Sequence, residues 1–217
     1  NNSQYSPLAD SQYDGLSVSF LQRPVRWGSY RISYTYSKAL DDVGEFFFSS
    51  PINNFNIWQD WARSDDDQRH RVVFDASLHS PIGPARNLSE RLSHGFQLSG
   101  ILQYYSPLPL NVTTGATTIQ GTTARPLIEG IPIGRNTGSG FDFFTLSARL
   151  TRTFPIGERW KIEGIAEAFN LLNHRHDLIP NGTFGPGLYP SQPLSTFGSA
   201  TAVSEPRSVQ LGLKLSF

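Results

Sequence analysis

The last eleven residues of the chain, Arg207 to Phe217, limit more than any other stretch what this sequence can fold into. Their odd-numbered positions from Val209 to Phe217 are all apolar, and their even-numbered positions are small or polar. A period of two is typical of a β-strand with one apolar face. Because an unpaired apolar strand recruits other chains, this face must meet either a neighbouring element or lipid.

The same alternation recurs along the chain. In the segment 27–37, for example, Tyr30, Ile32 and Tyr34 alternate with Arg31 and Ser33. The segment 160–171 is rich in Glu and Ala, so its pattern is also compatible with a helix. Strands are predicted at 13–23, 27–37, 70–79, 94–105, 143–154, 160–171 and 207–217.

The connections between these strands are sorted by length. The three long ones are 38–68, 106–140 and 172–206, and shorter turns separate them. If neighbouring strands run antiparallel, all long loops lie at one end of the sheet and all short turns at the other. Bacterial outer-membrane barrels have this arrangement, with short periplasmic turns and long external loops, whereas a soluble sandwich has no reason to adopt it.

Charged residues follow the same two-faced pattern. They occupy the polar face within strands, where a water-filled interior tolerates them, whereas Lys or Arg at the centre of a lipid face costs about 2–4 kcal/mol. In a soluble sheet the same residues would face solvent, so charge alone leaves both readings open. The predicted interior-facing residues are Arg31, Arg71, Asp75, Arg149, Glu163, Glu167 and Lys214.

Composition and motifs argue against several other classes. Lys+Arg and Asp+Glu balance at 18 each, which gives no basic face for nucleic acid. There is no Cys, and no stretch of about 18 apolar residues that would form a membrane helix. The nucleophile-elbow pattern G-x-S-x-G is missing, and the run Asp65 to Asp67 lacks the spacing of a calcium loop. No catalytic residue, metal site or cofactor is therefore predicted, and the chain is not expected to be an enzyme.

An ordered set of short motifs resembles one family. They are S-Y-T-Y-S-K-A-L-D at 33–41, D-D-Q-R-H-R-V-V at 66–73, G-F-Q-L-S-G-I at 95–101, G-R-N at 134–136, E-A-F-N-L-L-N-H at 167–174 and P-R-S-V-Q-L-G-L-K-L-S-F at 206–217. They resemble the C-terminal barrel region of TonB-dependent outer-membrane receptors, with the Oar-like subgroup as the nearest match. The resemblance implies an all-β fold, an antiparallel transmembrane β-barrel of 22 strands in the bacterial outer membrane. This chain would supply about seven of those strands, at the C-terminal end.

The resemblance also implies partners. An N-terminal plug and further strands would come from a preceding part of the same protein, which would also contact TonB. Phe217 is similar to the terminal aromatic residue that the barrel-assembly machinery reads. We expect the interior-facing residues to contact the plug, and Phe47, Trp58 and Trp61 in an outer loop to contact a small-molecule, glycan or peptide ligand.

Two alternatives remain open at this point. One is a passive, porin-like or adhesive outer-membrane barrel without TonB coupling. The other is a soluble β-sheet binding domain, for instance one that binds carbohydrate. A plug domain encoded upstream would favour the receptor, and a cooperative monomeric fold in plain buffer would favour the soluble domain.

Overall fold

The computed structural model describes residues 7–44, 51–82, 86–157 and 159–217. Seven long strands form one antiparallel sheet, in which each strand pairs with its neighbours in chain order. The all-β antiparallel fold predicted from the alternation is confirmed. The strands are β1 (Ser11–Val25), β2 (Gly28–Asp41), β3 (His70–His79), β4 (Phe96–Tyr105), β5 (Phe143–Ile156), β6 (Trp160–Phe169) and β7 (Ser208–Ser216).

The predicted start of the fourth strand at residue 94 is wrong, because a short helix, α1 (Leu88–Ser93), precedes it and His94 is its C-cap. The Asn87 side chain accepts a 2.9 Å hydrogen bond from the Glu90 backbone N–H. Glu90 in turn accepts a 2.7 Å hydrogen bond from the backbone N–H of Arg86. This reciprocal capping satisfies N–H groups that the first turn of a helix leaves unpaired.

Among the other strand ends that differ from the prediction, two have a clear physical cause. β2 continues to Asp41 because its last residues pair with the two-residue strand Ala62–Arg63. β6 ends at Phe169 rather than 171, since Asn170 and Asn173 have φ values of 48° and 52°, which turn the chain. The Glu- and Ala-rich segment is a strand and not a helix, because both of its edges are paired, with β5 and β7.

The register joins the apolar residues of the strands into one continuous face. Residues directly opposite each other in antiparallel strands lie on the same face, and Ile32 stands opposite both Phe20 and Phe74. At the other end of the sheet, Ala166 stands opposite Leu150 and Leu211. This face is exposed: Leu211 keeps 81% and Leu213 85% of its surface accessible. Within the described residues, the apolar face therefore has no protein cover.

Two aromatic residues at strand ends belong to the other face. Tyr105 stands opposite Arg71 and Phe143, on the polar face. The rings of Tyr105 and Phe143 stack with centroids 5.9 Å apart. The pairing register, which cannot be read from the sequence, therefore places both rings on the polar face.

The two ends of the sheet are very different. The described residues of the segments 26–27, 80–95 and 157–159 lie at one end, here called the short-turn rim. The described residues of the segments 42–69, 106–142 and 170–207 lie at the other end and form what we call the outer-loop cap. In the described part of the chain, no helix has the length and hydropathy of a membrane span.

The outer-loop cap has structure of its own. It contains a 3-10 helix, Ile57–Asp60, and the short strands Pro109–Leu110, Leu127–Ile128, Ile131–Pro132, Gly138–Ser139, Asp177–Pro180 and Ala200–Val203. Val112, Ile133 and Phe184 form a small buried core, and the backbone N–H of Phe184 donates to the Thr113 carbonyl at 2.7 Å. The second and third long loops are thus packed against each other.

Candidate functional site

The polar face of the sheet carries a ladder of ion pairs between neighbouring strands. Arg31 on β2 contacts Asp75 on β3, with 2.8 Å between Nε and Oδ1. On β5 and β6, Arg149 pairs with Glu167, which also accepts a hydrogen bond from Gln210 on β7. Each of these charged groups therefore has a partner of opposite charge on a neighbouring strand.

The last pair of the ladder joins Glu163 to Lys214, with Nζ 3.3 Å from Oε2. Arg71 completes the predicted set, and its guanidinium lies 4.8 Å from the centroid of the Tyr105 ring. All seven predicted interior-facing residues thus lie on one face, and six of them are paired. Contact of these residues with a plug stays a prediction.

The predicted aromatic residues lie at opposite ends of the molecule. Phe217 is 92% exposed and its ring centroid lies 5.3 Å from that of Trp160 at the short-turn rim. In the outer-loop cap, the Trp58 and Trp61 rings are 5.6 Å apart, and Trp58 is 61% exposed. Phe47, the third predicted ligand-contacting residue, lies outside the described residues. The two tryptophans therefore form an accessible aromatic pair, and their role as a ligand contact stays a prediction.

Buried ion pairs connect the first long loop to the second. Asp60 pairs with Arg125, and both side chains are at most 5% exposed. Arg135 pairs with Asp41 and approaches Asp65 at 3.4 Å. Burial lowers the pKa of Arg135 from its ordinary value. Burying charges is costly unless they are paired and hydrogen-bonded, so these contacts fix the two loops in one arrangement.

Asp67 connects the cap to the sheet. Its side chain is completely buried and lies 2.7 Å from Arg63 Nε and 2.9 Å from Arg69 Nε. Its other oxygen accepts a 2.8 Å hydrogen bond from the backbone N–H of Ala39 on β2. Burial raises the pKa of Asp67, but the Ala39 N–H and the two arginines outweigh it, and the net pKa is lowered. Asp67 is therefore a buried structural residue and not a solvated loop charge.

A polar cavity of about 150 Å³ lies beside the ion pairs of Asp60 and Arg135. Asp42, Asn111 and Arg125 line it, and each has one buried polar atom without a hydrogen-bond partner in the described part of the chain: Oδ2, Oδ1 and Nε, respectively. Buried polar atoms of this kind are usually satisfied by ordered water or a bound polar molecule. The cavity is therefore suited to small polar species rather than apolar ones.

Two histidines meet in the third long loop. His176 is 7% exposed, and its ring lies 4.4 Å from that of His174. Burial, and then the neighbouring His174, lower the pKa of His176. In residues 7–44, 51–82, 86–157 and 159–217, no group of three or more His, Cys, Asp or Glu is arranged to hold a metal ion.

Sequence reasoning missed Asp60, Arg125 and Arg135. The hydrogen bonds of Asp60 with these arginines span 65 and 75 residues, so no local pattern connects them. The only available signal was the motif G-R-N at 134–136, which contains Arg135. The side-chain amide of Asn136 in this motif donates a 2.8 Å hydrogen bond to the Arg63 carbonyl.

A family model described as an outer membrane beta barrel domain matches residues 1–133 and 130–210. The chain belongs to this family. The apolar face of the sheet is accordingly the lipid-facing side of a barrel wall in the bacterial outer membrane, and the predicted location is confirmed. That the polar face lines the barrel interior stays a prediction. The match does not extend to the TonB-dependent or Oar-like assignment.

Neither a search of curated proteins nor a search of solved structures finds a match. The finer assignment of this barrel therefore depends on its own residues.

Proposed function

We propose that this chain is part of the barrel of a TonB-dependent receptor that takes up a ligand from outside the cell. In this proposal the barrel has 22 strands, of the Oar-like type, and encloses a plug from a preceding part of the protein. The ion-pair ladder of the polar face would contact the plug. The outer-loop cap would bind the ligand, whether a small molecule, a glycan or a peptide.

The observation that carries the proposal is the order of the outer-loop cap. Its long loops are joined by the buried pairs of Asp60 and Arg135 and by the core around Phe184. Beside the pairs lies the polar cavity, and the Trp58 ring is exposed on the same cap. Fixed loops with a few converging polar groups are typical of a binding site. They favour selective capture of a ligand over unselective diffusion.

The second candidate is a passive or adhesive barrel. The observation in its favour is that the charges of the interior face already pair with each other, as Arg31 does with Asp75 and Lys214 with Glu163. An interior that satisfies its own charges needs no plug. The soluble binding domain has no comparable support.

The two candidates differ in ion conductance, which can be measured without knowing the ligand. The complete protein, reconstituted in a planar lipid bilayer, should conduct little current if a plug fills the barrel. Addition of urea on one side should then unfold the plug and open large channels reversibly. In parallel, the purified periplasmic domain of TonB should bind the complete protein.

The control is a variant of the complete protein from which everything before the barrel has been deleted, which should conduct without urea. Constitutive conductance of the intact protein, together with failure to bind TonB, would exclude the receptor and favour the passive barrel.

A further inference from the structure

One arginine lies on the lipid-facing side of the sheet. Arg152 on β5 has the parity of Leu146, Leu150 and Phe154, and it stands opposite Phe96 on β4 and Gly164 on β6. All of these neighbours are apolar. A charged side chain on this face is costly near the bilayer centre and is tolerated near an interface, so this position requires a physical explanation.

The Arg152 side chain is held between aromatic rings and directed toward the short-turn rim. Its guanidinium carbon lies 4.6 Å from the centroid of Phe96 and 4.8 Å from that of Phe154. One terminal nitrogen donates a 2.6 Å hydrogen bond to the Arg91 carbonyl in α1. Arginine side chains commonly lie along apolar surface in this way and place the charged group at the membrane interface.

The charge of Arg152 has no opposite charge beside it in the described part of the chain. No carboxylate of residues 7–44, 51–82, 86–157 and 159–217 lies within 4.0 Å of its guanidinium. Among the described residues, its buried Nε has no hydrogen-bond partner, and a buried donor without a partner is costly. The Arg152 residue as a whole is only partly buried, so an anion in the lipid layer can approach the rest of the guanidinium and balance its charge.

An apolar groove begins at the same residue. It has a volume of about 590 Å³, and its walls include Leu150, Leu211 and Leu213. Its floor contains Gly164, where an added Cβ would meet no atom within 4 Å. The groove therefore combines an apolar channel along the lipid face with a cation at its end near the short-turn rim.

The whole short-turn rim is basic. Its segments 26–27, 80–95 and 157–159 contain four arginines and two glutamates, and Arg23 and Arg152 lie in the adjoining strand ends, whereas the segments of the outer-loop cap contain six arginines and ten acidic residues. Anionic lipid headgroups are attracted to such basic clusters at a membrane surface. Because short turns face the periplasm in these barrels, the headgroups concerned are those of the periplasmic leaflet.

We propose that Arg152 and this groove form a binding site for an anionic glycerophospholipid of the periplasmic leaflet. The guanidinium binds the headgroup phosphate, for which its planar set of donors is suited. One acyl chain lies in the groove over Gly164, between the leucines of β5 and β7. The site requires only the barrel wall, and it is independent of TonB coupling.

The test is native mass spectrometry of the complete protein in detergent, titrated with phosphatidylglycerol or with phosphatidylcholine of the same acyl chains. Phosphatidylglycerol should bind at least about tenfold more tightly, the factor that corresponds to 1.4 kcal/mol. Arg152→Gln should remove this preference, and Arg152→Lys should retain part of it. Gly164→Leu, which fills the groove and leaves the charge, should weaken both lipids.

The matched control is Arg159→Gln, which removes one positive charge from the same rim outside the groove and should change the preference less than about twofold. Heat-modifiable migration on a gel checks that each variant folds; if Arg152→Gln does not fold, Arg152→Lys and Gly164→Leu decide. The proposal is overturned by equal binding of the two lipids to the unaltered protein, or by an unchanged preference in folded Arg152→Gln. An equal loss in Arg159→Gln would also overturn it, as would displacement of the lipid by inorganic phosphate or a preference for lipid A.

Discussion

The sheet and the outer-loop cap follow opposite rules of burial. In the sheet, large apolar side chains are exposed, with Leu213 at 85% and Leu211 at 81% accessible. In the cap, charged side chains are buried, with Asp67 at 0%, Asp60 at 4% and Arg125 at 5%. The difference follows from the surroundings: lipid replaces the apolar core for the sheet, whereas water surrounds the cap.

This contrast indicates where each region obtains its specificity. The apolar face tolerates many apolar side chains, because lipid is a fluid partner without a fixed shape. The cap depends on individual pairs, because a buried charge that loses its partner is strongly destabilising. Substitutions in the two regions should therefore have different consequences.

The largest effect is expected from Arg135→Met in the cap. This change leaves Asp41, whose side chain is only 16% exposed, without its partner, and breaking a largely buried pair in this way costs up to about 3–5 kcal/mol. Hydrogen exchange should show loss of protection in the segments 51–69 and 106–142 while the sheet stays protected. The control is Arg175→Met, since Arg175 and Asp177 are 72% and 39% exposed and such pairs contribute about 0–1 kcal/mol. Equal protection in the two variants would contradict the role of buried charge in the cap.

The next effect is expected on the apolar face. Leu213→Arg places a charge in lipid and should cost about 2–4 kcal/mol, which reduces the fraction of complete protein that assembles in the outer membrane. The control is Ser216→Arg on the same strand, which faces the interior and should assemble more efficiently. The folded fraction is measured by heat-modifiable gel migration. If both variants assembled equally, the assignment of the two faces would be wrong.

The smallest effect is a dependence of the cap on pH. The pKa of His176 is lowered in the folded cap. Below the ordinary value of 6.5, the locally unfolded cap therefore binds more protons than the folded cap. The stabilisation is complete above pH 6.5 and decreases as the pH falls through the folded pKa. Hydrogen exchange of residues 170–207, corrected for its intrinsic pH dependence, should show reduced protection at pH 5 relative to pH 7.5.

His176→Gln should remove this dependence, whereas the exposed His79→Gln should retain it. Asp67 acts in a lower window: its pKa lies below the ordinary 3.8, so its contribution persists above that value and is lost only as the pH falls further. Loss of protection confined to pH values below 3.8 would assign the effect to Asp67 and not to His176.

The sequence predicted the sheet far better than the cap, for physical reasons. Alternation is local: Tyr30, Ile32 and Tyr34 share a face whatever their neighbours are. Alternation does not show which residues of neighbouring strands stand opposite each other. The pairing of Arg149 with Glu167 and of Glu163 with Lys214 therefore became visible only from the strand register. The α1 helix carried a local signal, Asn87 followed by Glu90, that alternation obscured.

The cap was not predictable because its contacts join distant segments. Asp60 and Arg125 become partners only when two loops have folded together. Nothing in the sequence near either residue distinguishes it from a solvated loop charge. The burial of Asp67 was not predictable for the same reason, since it depends on Ala39 of β2 and on Arg63 and Arg69.

The hairpin of β1 and β2 extends farther toward the outer-loop cap than the neighbouring strand β3. β3 pairs with β2 only as far as Tyr36, and β2 then continues for five residues to Asp41, about 16 Å along the strand. Asp41 and Asp42 at its tip hold Arg135 and the backbone N–H of Asp10. The hairpin thus extends past the end of β3, and its tip supports the second long loop through Arg135.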